Sequence, residues 1–498
     1  MAALVENGVK IQRDKYFREW EFVDKTIDLI REKLSNMAQL ENSPIDFSQP
    51  EKMKNKIDIG LANTTPELSQ LVEICTAIID NSVKTQSPMF FQAFYHGVDP
   101  YGMAAALLIE ALNTSTYTYD VGPVLTLVEK EVINYFVDLI GWQKGDGIFC
   151  PGGSMANLYA ASLARFKFDS SIKVDGMRNK PKLLIFTSDQ AHYSVLKAAA
   201  FMGFGMDAVV KIKTDSSGVM DVQQLREAII DYGNKPDCQP FMVWATAGTT
   251  VLNAYDPLLE ISEICSDFNL WMHSDACLGG AALFSSKHRQ LLKAIERSDS
   301  VSWCWHKILG APFQTSLILT KHEGLLKQAH SASAVYLFLN EKHYDTSYDT
   351  GDASIQCGRR GDALKVWFML KARGSEEIGR LVDTAFQSAS YLAEILSQNN
   401  RFQLVLPGVQ GTSVCFWVIP PSLKEMPHSE EFRENLNKIA PLLKKRMTYE
   451  GSAMIIYQPI TEKSMPCFFR ATFHCHPLLS KEEINRFVSI LVRLSDDL

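Results

Sequence analysis

The chain has 498 residues, of which 46% are hydrophobic and 21% charged, so it can bury a sizeable core in more than one structural unit. Its formal net charge of −7 gives no overall attraction for nucleic acid or an acidic membrane surface, and no local basic patch offsets it. No apolar run reaches the length of a bilayer span, and the charged start of the chain differs from a secretory signal peptide. Ten cysteines without a short-spaced framework are typical of reduced thiols, which predicts a cytoplasmic protein. The charge and the lack of a long apolar run predict that it has no nucleic-acid or membrane partner.

The first part of the chain predicts helices. Residues 14–40 carry apolar side chains at helical spacing, which indicates an amphipathic helix. After a polar linker, Thr65 and Pro66 have the residue types of a helix cap and a first helical position, ahead of an apolar stretch at 68–79. We expect residues 1–85 to form an N-terminal helical segment.

From Gly147 the sequence alternates short apolar runs with helical stretches. The predicted strands are Lys182–Thr187, Pro240–Ala245, Leu270–Ser274, Ser300–Trp305 and Gln314–Thr320. The predicted helices are Tyr193–Met202, Asp221–Asp231, Leu258–Phe268 and Gln290–Arg297. This alternation predicts an α/β fold, with a mostly parallel central sheet covered by helices on both faces, in a large domain at 86–375. Sites in such folds gather at the carboxyl ends of the strands.

The pattern changes again after Ser333. Leu337–Arg360 is polar and aperiodic, which is typical of a functional loop or a linker. Helical periodicity returns at Asp362–Ala372 and Glu377–Gln398. Predicted strands and helices then alternate, and the strands are Phe402–Leu406, Ser413–Ile419, Ala453–Tyr457 and Cys467–Phe473. We expect a smaller C-terminal α+β domain at 376–498.

Chemically useful residues follow the predicted strands. Gly153 and Ser154 precede a helical stretch, where free amides and the helix dipole suit a phosphate; a plain turn is the alternative. Asp275 ends a strand, where an ionised carboxylate could hold the proton of a pyridine nitrogen, and a loop cap is the alternative.

Three further residues lie at such ends. Lys307 could hold a cofactor as a Schiff base, whereas most lysines are solvated surface charges. His192 could stack on an aromatic ring, and Thr246 offers a hydroxyl, with local hydrogen bonding as the alternative for both. The four successive strand ends that supply His, Thr, Asp and Lys are together more specific than any one of them.

Longer stretches carry a resemblance to a known family. They include Asn113-Thr114-Ser115, Gly147-Ile148-Phe149-Cys150-Pro151-Gly152-Gly153-Ser154, Ala245-Thr246-Ala247-Gly248-Thr249-Thr250, Asp349-Thr350-Gly351-Asp352, Ile355-Gln356-Cys357-Gly358-Arg359-Arg360 and Phe468-Phe469-Arg470. From about residue 60 onward the sequence resembles the group II pyridoxal-phosphate-dependent amino-acid decarboxylases, in the branch that acts on acidic substrates.

The resemblance implies a type I aminotransferase-like fold, pyridoxal 5′-phosphate as the cofactor, and a homodimer with active sites at the subunit interface. The cofactor-binding residues it implies are Lys307, Asp275, His192, Thr246, His306, Gly153 and Ser154. In these roles Lys307 carries the cofactor, Asp275 pairs with the pyridine nitrogen and His192 stacks on the ring.

Two further residues would act on the substrate. The resemblance implies that Arg470 grips the α-carboxylate with its planar fork. Tyr344 would protonate the carbanion left when carbon dioxide departs. Relatives that replace this tyrosine or the stacking histidine form aldehydes. This chain has both residues, Tyr344 and His192, so the resemblance predicts simple decarboxylation.

The side-chain pocket points to a short acidic substrate. Ser115 and the aromatic Tyr95 match the cysteine-sulfinate branch, whereas glutamate decarboxylases have asparagine and a small residue there. A ring at 95 shortens the pocket by about a methylene, worth ~1–3 kcal/mol, which favours cysteine sulfinate or aspartate and predicts hypotaurine, as in taurine biosynthesis, or β-alanine. The alternative substrates are glutamate and an aromatic or unusual amino acid stacked on Phe94 and Tyr95. A further alternative is a non-catalytic family member that binds partners or only pyridoxal phosphate.

Several positions depart from the family pattern. Cys304-Trp305 stands where the family has Asn-Pro, Cys277-Leu278 where it has Ala-Trp, and Gln92-Ala93-Phe94 where it has Asn-Gln-Leu. The missing glutamine makes a drifted specificity a further alternative. Cys304, His306, His474 and Cys475 lack convincing zinc spacing, so no metal site is predicted.

Overall fold

The computed structural model describes residues 2–37, 39, 43–61, 66–332, 334, 337–338, 341–427 and 429–498. It divides into two compact units, one made of Met1–Gln92, Val418–Phe468 and Leu479–Leu498 and the other of Ala93–Trp417 and Phe469–Leu478. The predicted domain boundaries at 85 and 375 stay predictions. Among the described residues, no helix is both long and apolar enough to cross a membrane.

The helices of these ranges are α1 (Ala2–Met37), α2 (Pro50–Lys56), α3 (Leu68–Asn81), α4 (Pro100–Leu112), α5 (Pro123–Ile140), α6 (Gly153–Phe168), α7 (Ile172–Asp175), α8 (Ser194–Phe201), α9 (Val222–Gly233), α10 (Leu258–Asp267), α11 (Leu325–His330), α12 (Ala363–Ser397), α13 (Pro421–Lys424), α14 (Glu430–Glu450) and α15 (Lys481–Leu494). The strands are β1 (Asp146–Cys150), β2 (Lys182–Ser188), β3 (Val209–Ile212), β4 (Cys238–Thr246), β5 (Trp271–Asp275), β6 (Ser300–Cys304), β7 (Ser316–Thr320), β8 (Phe402–Leu404), β9 (Ser413–Val418), β10 (Ile456–Ile460) and β11 (Met465–Thr472).

A seven-stranded sheet forms the centre of the larger unit, in the order β1-β7-β6-β5-β4-β2-β3. Strands β2 to β6 run parallel, whereas β7 is antiparallel to its neighbours β1 and β6. Strands β5, β6 and β7 are buried along their whole length, as expected for a sheet covered on both faces. The predicted mostly parallel α/β architecture is confirmed.

A second sheet has the order β10-β11-β9-β8, with β9 and β11 antiparallel. In the smaller unit, α1 contacts α3, and α14 contacts α15 and β10. In the larger unit, α12 contacts α4 and α5 and is interrupted at Gly374, where φ is 68°. The interruption agrees with the two helical stretches predicted on either side of it.

Two predicted helix details are wrong, and one lies outside the described residues. The stretch 290–297 forms two 3₁₀ turns instead of an α-helix, because Ala294 between them has a left-handed φ of 70°. Pro66 precedes α3 instead of opening it, because the side-chain oxygen of Gln70 accepts the N–H of Glu67 (2.9 Å) and starts the helix one residue after Glu67. The predicted cap, Thr65, is not among the described residues.

The register of the parallel strands brings chemically useful residues side by side. Thr246 at the end of β4 is the Cα partner of Asp275 at the end of β5, and Asp275 is the partner of Ser302 on β6. Two residues before Asp275, the His273 ring is fully buried, with Nδ1 2.9 Å from Ser300 Oγ and Nε2 3.2 Å from Asn157 Oδ1. Burial, opposed by the nearby Asp275, lowers the pKa of His273 to about 4.

His273→Gln should therefore flatten the acid side of the stability profile. A histidine in the unfolded chain takes up a proton near pH ~6.5, whereas folded His273 does so only near its pKa of about 4. Its contribution to stability is complete above the unfolded value and is lost as the pH falls through this window. Thermal unfolding of both proteins from pH ~8 to ~4 measures the effect: the difference between the curves should be constant above the window and shrink within it. A constant difference throughout would contradict the assignment.

Candidate active site

The Asp275 carboxylate is the most strongly held group at the carboxyl edge of the sheet. Its Oδ2 accepts from Asn157 Nδ2 (2.7 Å), and its Oδ1 accepts from the Cys277 N–H (3.1 Å) and from Ser302 Oγ (3.3 Å). Burial alone would raise its pKa, but Lys307, His273, His192 and the Asn157 hydrogen bond outweigh it and lower the pKa below the usual value. A buried carboxylate that stays ionised can hold a cationic proton donor.

Lys307 follows β6 by three residues, and its N–H donates to the Cys304 carbonyl (3.4 Å). Its Nζ lies 5.6 Å from the centre of the Phe94 ring. Burial lowers the pKa of the amine, but Cys304, Cys277 and Asp275 together raise it above the ordinary value. The Lys307 amine is therefore a cation beside Cys277, Cys304 and the Asp275 carboxylate.

His192 and Thr246 belong to the same edge. The N–H of Ser194 donates to His192 Nδ1 (3.2 Å), which ties the ring to the start of α8. Burial lowers the pKa of His192, with Asp275 and Lys307 acting on it in opposite directions, so the ring is neutral near pH 7. Thr246 donates its N–H to Asp256 Oδ2 (2.8 Å), while its buried hydroxyl has no described partner. That hydroxyl is free to serve a bound group.

Gly153 opens α6, following Gly152 at a φ of 94°. A Cβ on Gly153 would lie 2.7 Å from Cys277 Sγ and 2.9 Å from Cys304 Sγ, closer than side chains tolerate. The first amides of a helix have no intrahelical acceptor, so a glycine here leaves the backbone open to an anion. Ser154 is the next residue of the helix and is exposed.

Arg470 on β11 is buried and lacks a carboxylate partner in the described part of the chain. One Nη donates to the Thr250 carbonyl, its guanidinium lies 4.2 Å from the centre of the Phe94 ring, and its Nε is buried without a hydrogen bond. Burial lowers its pKa to about 10, so it remains cationic. Phe94 contacts both Arg470 and Lys307, which puts the two cations on one aromatic ring.

Three other residues that were predicted for the site, His306, Tyr95 and Ser115, have contacts of their own. His306 Nδ1 is 2.9 Å from the Thr315 carbonyl and 3.0 Å from its N–H, and burial lowers the pKa of His306 to about 4. Its ring contacts Phe313 (4.6 Å), which in turn contacts the half-exposed Tyr95 (5.4 Å). Ser115 accepts from the Arg359 N–H through its hydroxyl (2.9 Å).

Tyr344 belongs to a different polar group. Its hydroxyl is 2.8 Å from Lys342 Nζ, 3.0 Å from Asp349 Oδ1 and 3.1 Å from Asp120 Oδ1, and its ring contacts Tyr119. These described contacts do not include Lys307 or Asp275. Within one chain, the structure does not join Tyr344 to the residues at the sheet edge.

Sequence reasoning missed Asn157, which donates to both Asp275 and Ser194 and contacts His273. The available signal was an amide in the otherwise apolar stretch of α6, four residues after Gly153. It also did not connect Cys277 with Cys304, which it noted as departures from the family pattern and, for Cys304, as a rejected zinc ligand, although both sulfurs lie against Gly153.

Comparisons with known proteins agree with this geometry. A model of the pyridoxal-dependent decarboxylase conserved domain matches residues 50–419. The chain is 42% identical to cysteine sulfinic acid decarboxylase of Homo sapiens over 471 residues, 94% of either chain. It is 42% identical to acidic amino acid decarboxylase GADL1 of Homo sapiens over 480 residues, 96% of this chain and 91% of that one. The crystal structure of mouse CSAD has a TM-score of 0.93 at 39% identity, over 97% of this chain and 99% of that one.

Gly153→Ala should destabilise this edge and weaken the binding of pyridoxal phosphate. The added methyl group has no room beside the two sulfurs, and overpacking of this kind costs about 1–3 kcal/mol. Gly408→Ala is the matched control, because a Cβ at 408 meets no atom within 4 Å. Thermal unfolding and titration with pyridoxal phosphate, followed by absorbance, measure both effects. Equal behaviour of the two variants would show that the close approach at Gly153 is unimportant.

Proposed function

Because the chain belongs to the pyridoxal-dependent decarboxylase family, we propose that it removes the α-carboxyl group of a small acidic amino acid, cysteine sulfinate or aspartate. The products would be hypotaurine, a taurine precursor, or β-alanine. The observation that carries the proposal is Arg470, a buried cation beside the Phe94 ring with no described carboxylate partner of its own. Such a guanidinium suits a bidentate interaction with a substrate carboxylate.

The residues present fit pyridoxal phosphate. Thr246 has a buried hydroxyl without a described partner, Gly153 leaves the helix start open, and Asp275 stays ionised although it is buried. Lys307 would hold the cofactor through Nζ, and Asp275 would hold the pyridine nitrogen. When bound, the cofactor supplies an electron sink for the electron pair that remains after carbon dioxide leaves.

The side chains divide the remaining work. Arg470 would bind the α-carboxylate, and its contact with Phe94 keeps water from one face of the guanidinium. His192 is neutral near pH 7, which suits stacking on a ring better than pairing with a charge. Gly153 and Ser154, at the start of α6, would bind the phosphate with their amides, and His306 would support the adjoining Lys307.

The residues beside Phe94 would limit the length of the substrate side chain. Tyr95 and Phe313 form an aromatic pair that continues to His306, and Ser115 is held by the Arg359 backbone. The named relatives, a cysteine sulfinic acid decarboxylase and an acidic amino acid decarboxylase, support a short acidic side chain. All ten cysteines are free, which supports a reducing compartment such as the cytoplasm.

We further propose a homodimer in which each active site uses both copies. Tyr344 contacts Lys342, Asp349 and Asp120 of its own chain, so it would serve the lysine site of the second copy. Exposed apolar side chains along α4 and α5 support a protein interface there; they are Leu107, Leu108, Leu112, Val124 and Leu127. Tyr344 would then supply a proton to the substrate carbon after carbon dioxide departs.

A substrate panel tests the reaction. Purified holoenzyme incubated with cysteine sulfinate, aspartate, glutamate and tryptophan should favour the two short acids over glutamate by about 10–200-fold in kcat/KM, the range expected for one methylene. Tyr95→Ala should narrow this ratio because it lengthens the pocket. Tyr449→Ala, which removes an exposed tyrosine from the other unit, is the control. Turnover of glutamate or tryptophan alone would contradict the proposed substrate class.

Complementation tests the shared site. Lys307→Ala should abolish decarboxylation, and Tyr344→Phe should divert product from amine to aldehyde. When the two variants are co-expressed, random pairing should restore amine formation to about one quarter of the wild-type level, because half of the dimers would contain one intact site. A chain that carries both substitutions is the control. No recovery in verified mixed dimers would place both residues in one subunit's site.

A further inference from the structure

Two thiols that the proposed chemistry does not use lie together beneath the start of α6. Asp275 on β5 and Ser302 on β6 are Cα partners. Cys277 and Cys304 each lie two residues after one of these partners. Both sulfurs approach the same point, the Cβ position of Gly153, at 2.7 and 2.9 Å. Because both sulfurs lie this close to one point, they are at most about 5.6 Å apart, so a small shift of the side chains can join them in a disulfide.

Hydrogen bonds hold the pair in place. Cys304 Sγ accepts from Ser316 Oγ (3.1 Å), Cys277 Sγ donates to Ser302 Oγ (3.4 Å), and the two thiols also interact with each other. Ser302 in turn donates to Asp275 Oδ1 (3.3 Å). The thiols are thus connected to the carboxylate at the centre of the proposed cofactor site.

The two sulfurs differ in acidity. Burial would raise the pKa of Cys304, but the interaction with Cys277, the Lys307 cation and the hydrogen bond from Ser316 together lower it. The interaction with Cys304 and burial raise the pKa of Cys277 well above its usual value. Cys304 is therefore the more acidic of the two thiols and the better suited to attack, whereas Cys277 is suited to be the resolving thiol.

A third thiol is nearby but is poorly placed to compete. Cys150 on β1 and Cys304 on β6 both pair with Ser316 of the intervening β7. Two strand spacings, about 9.6 Å, exceed the Cα separation of a disulfide. Burial also raises the pKa of Cys150 well above its usual value.

We propose that Cys277 and Cys304 are a redox modification site that a small peroxide converts to a reversible disulfide. The Cys304 thiolate attacks one peroxide oxygen, the O–O bond breaks, and a sulfenic acid and hydroxide form. The Cys277 thiol then attacks the sulfenic sulfur, forming the S–S bond and releasing water. The hydroxide takes up the proton lost from Cys304, so two thiols are oxidised by two electrons and one peroxide is reduced to two waters.

Oxidation would change the cofactor site directly. It removes the Cys277 S–H that Ser302 accepts and the two ionisable thiols that raise the Lys307 pKa, and it shortens the distance between two sulfurs that already lie close to the Gly153 position. We expect the oxidised protein to bind pyridoxal phosphate more weakly. This inference does not depend on which amino acid is the substrate.

The test treats the holoenzyme with hydrogen peroxide, blocks remaining thiols under denaturing conditions and maps peptides by mass spectrometry. A Cys277–Cys304 link that dithiothreitol reverses is expected, together with a reversible loss of bound-cofactor absorbance. Because both sulfurs are buried, oxidised glutathione should form no adduct on either of them, although it reaches the exposed Cys357. Linkage of Cys150 to Cys304, or oxidation confined to Cys357, would overturn the proposal.

Variants separate the disulfide from general oxidation. Cys277→Ala removes the resolving thiol but keeps the backbone N–H that Asp275 accepts, so Cys304 should advance irreversibly to the sulfinic acid. Cys357→Ser, at an exposed site, should behave as wild type. Full recovery of cofactor absorbance by dithiothreitol in Cys277→Ala would overturn the proposal, whatever the decarboxylase activity of any of these proteins.

Discussion

The structure of the sheet edge depends on keeping the Asp275 carboxylate charged although it is buried. Burial alone would favour the protonated form of this carboxylate, but three hydrogen-bond donors and the neighbouring Lys307 cation compensate the lost hydration and lower its pKa. Each donor comes from a different element: Asn157 from α6, Ser302 from β6, and the Cys277 N–H from the turn after β5. The carboxylate thus fixes the relative positions of these elements, and the start of α6 with its glycine follows from that arrangement.

Much of the α/β architecture could be predicted from the sequence, because it rests on local patterns. The alternation of short apolar runs with helical stretches predicted β2, β4, β5, β6 and β7 with bounds close to the observed ones. The errors occurred where a side chain or a single dihedral angle overrides the pattern, as at Ala294 and at the Gln70 cap of α3. Periodicity carries no information on such contacts, since they depend on one residue at a time.

The candidate site was partly predictable for the same reason. Residues that follow strands, such as Asp275 and Lys307, can be assigned to one edge from the order of the elements alone. Asn157 could not be found in this way, because it lies within a helix and its function depends on which face of α6 meets the sheet. The contacts of Tyr344 with Asp120 and Asp349 join residues far apart in sequence, and no local signal predicts them. The roles of all these residues stay predictions.

The buried ion pair between Arg359 and Glu129 limits how the loop before α12 can move. Both side chains are almost fully buried, and the guanidinium also donates to the carbonyls of Phe149 and Thr116 and to the Thr350 hydroxyl. Removing one partner of such a pair leaves a buried charge and costs about 3–5 kcal/mol. These contacts fix the loop from Thr350 to Arg359. A movement of Tyr344 would therefore involve the residues on the N-terminal side of Thr350.

The residue that precedes the His306-Lys307 pair, Trp305, is part of the aromatic core. Trp305 is fully buried against Trp303, Phe136 and Phe284, with ring centres 5.4–5.7 Å apart. A proline there would leave a large void among these rings, at a cost of about 3–5 kcal/mol for the lost aromatic volume. The motif and the aromatic core behind it are therefore energetically coupled: the residue that fits at position 305 depends on the sizes of the rings around it, so the stability effects of substitutions among these four positions would not be additive.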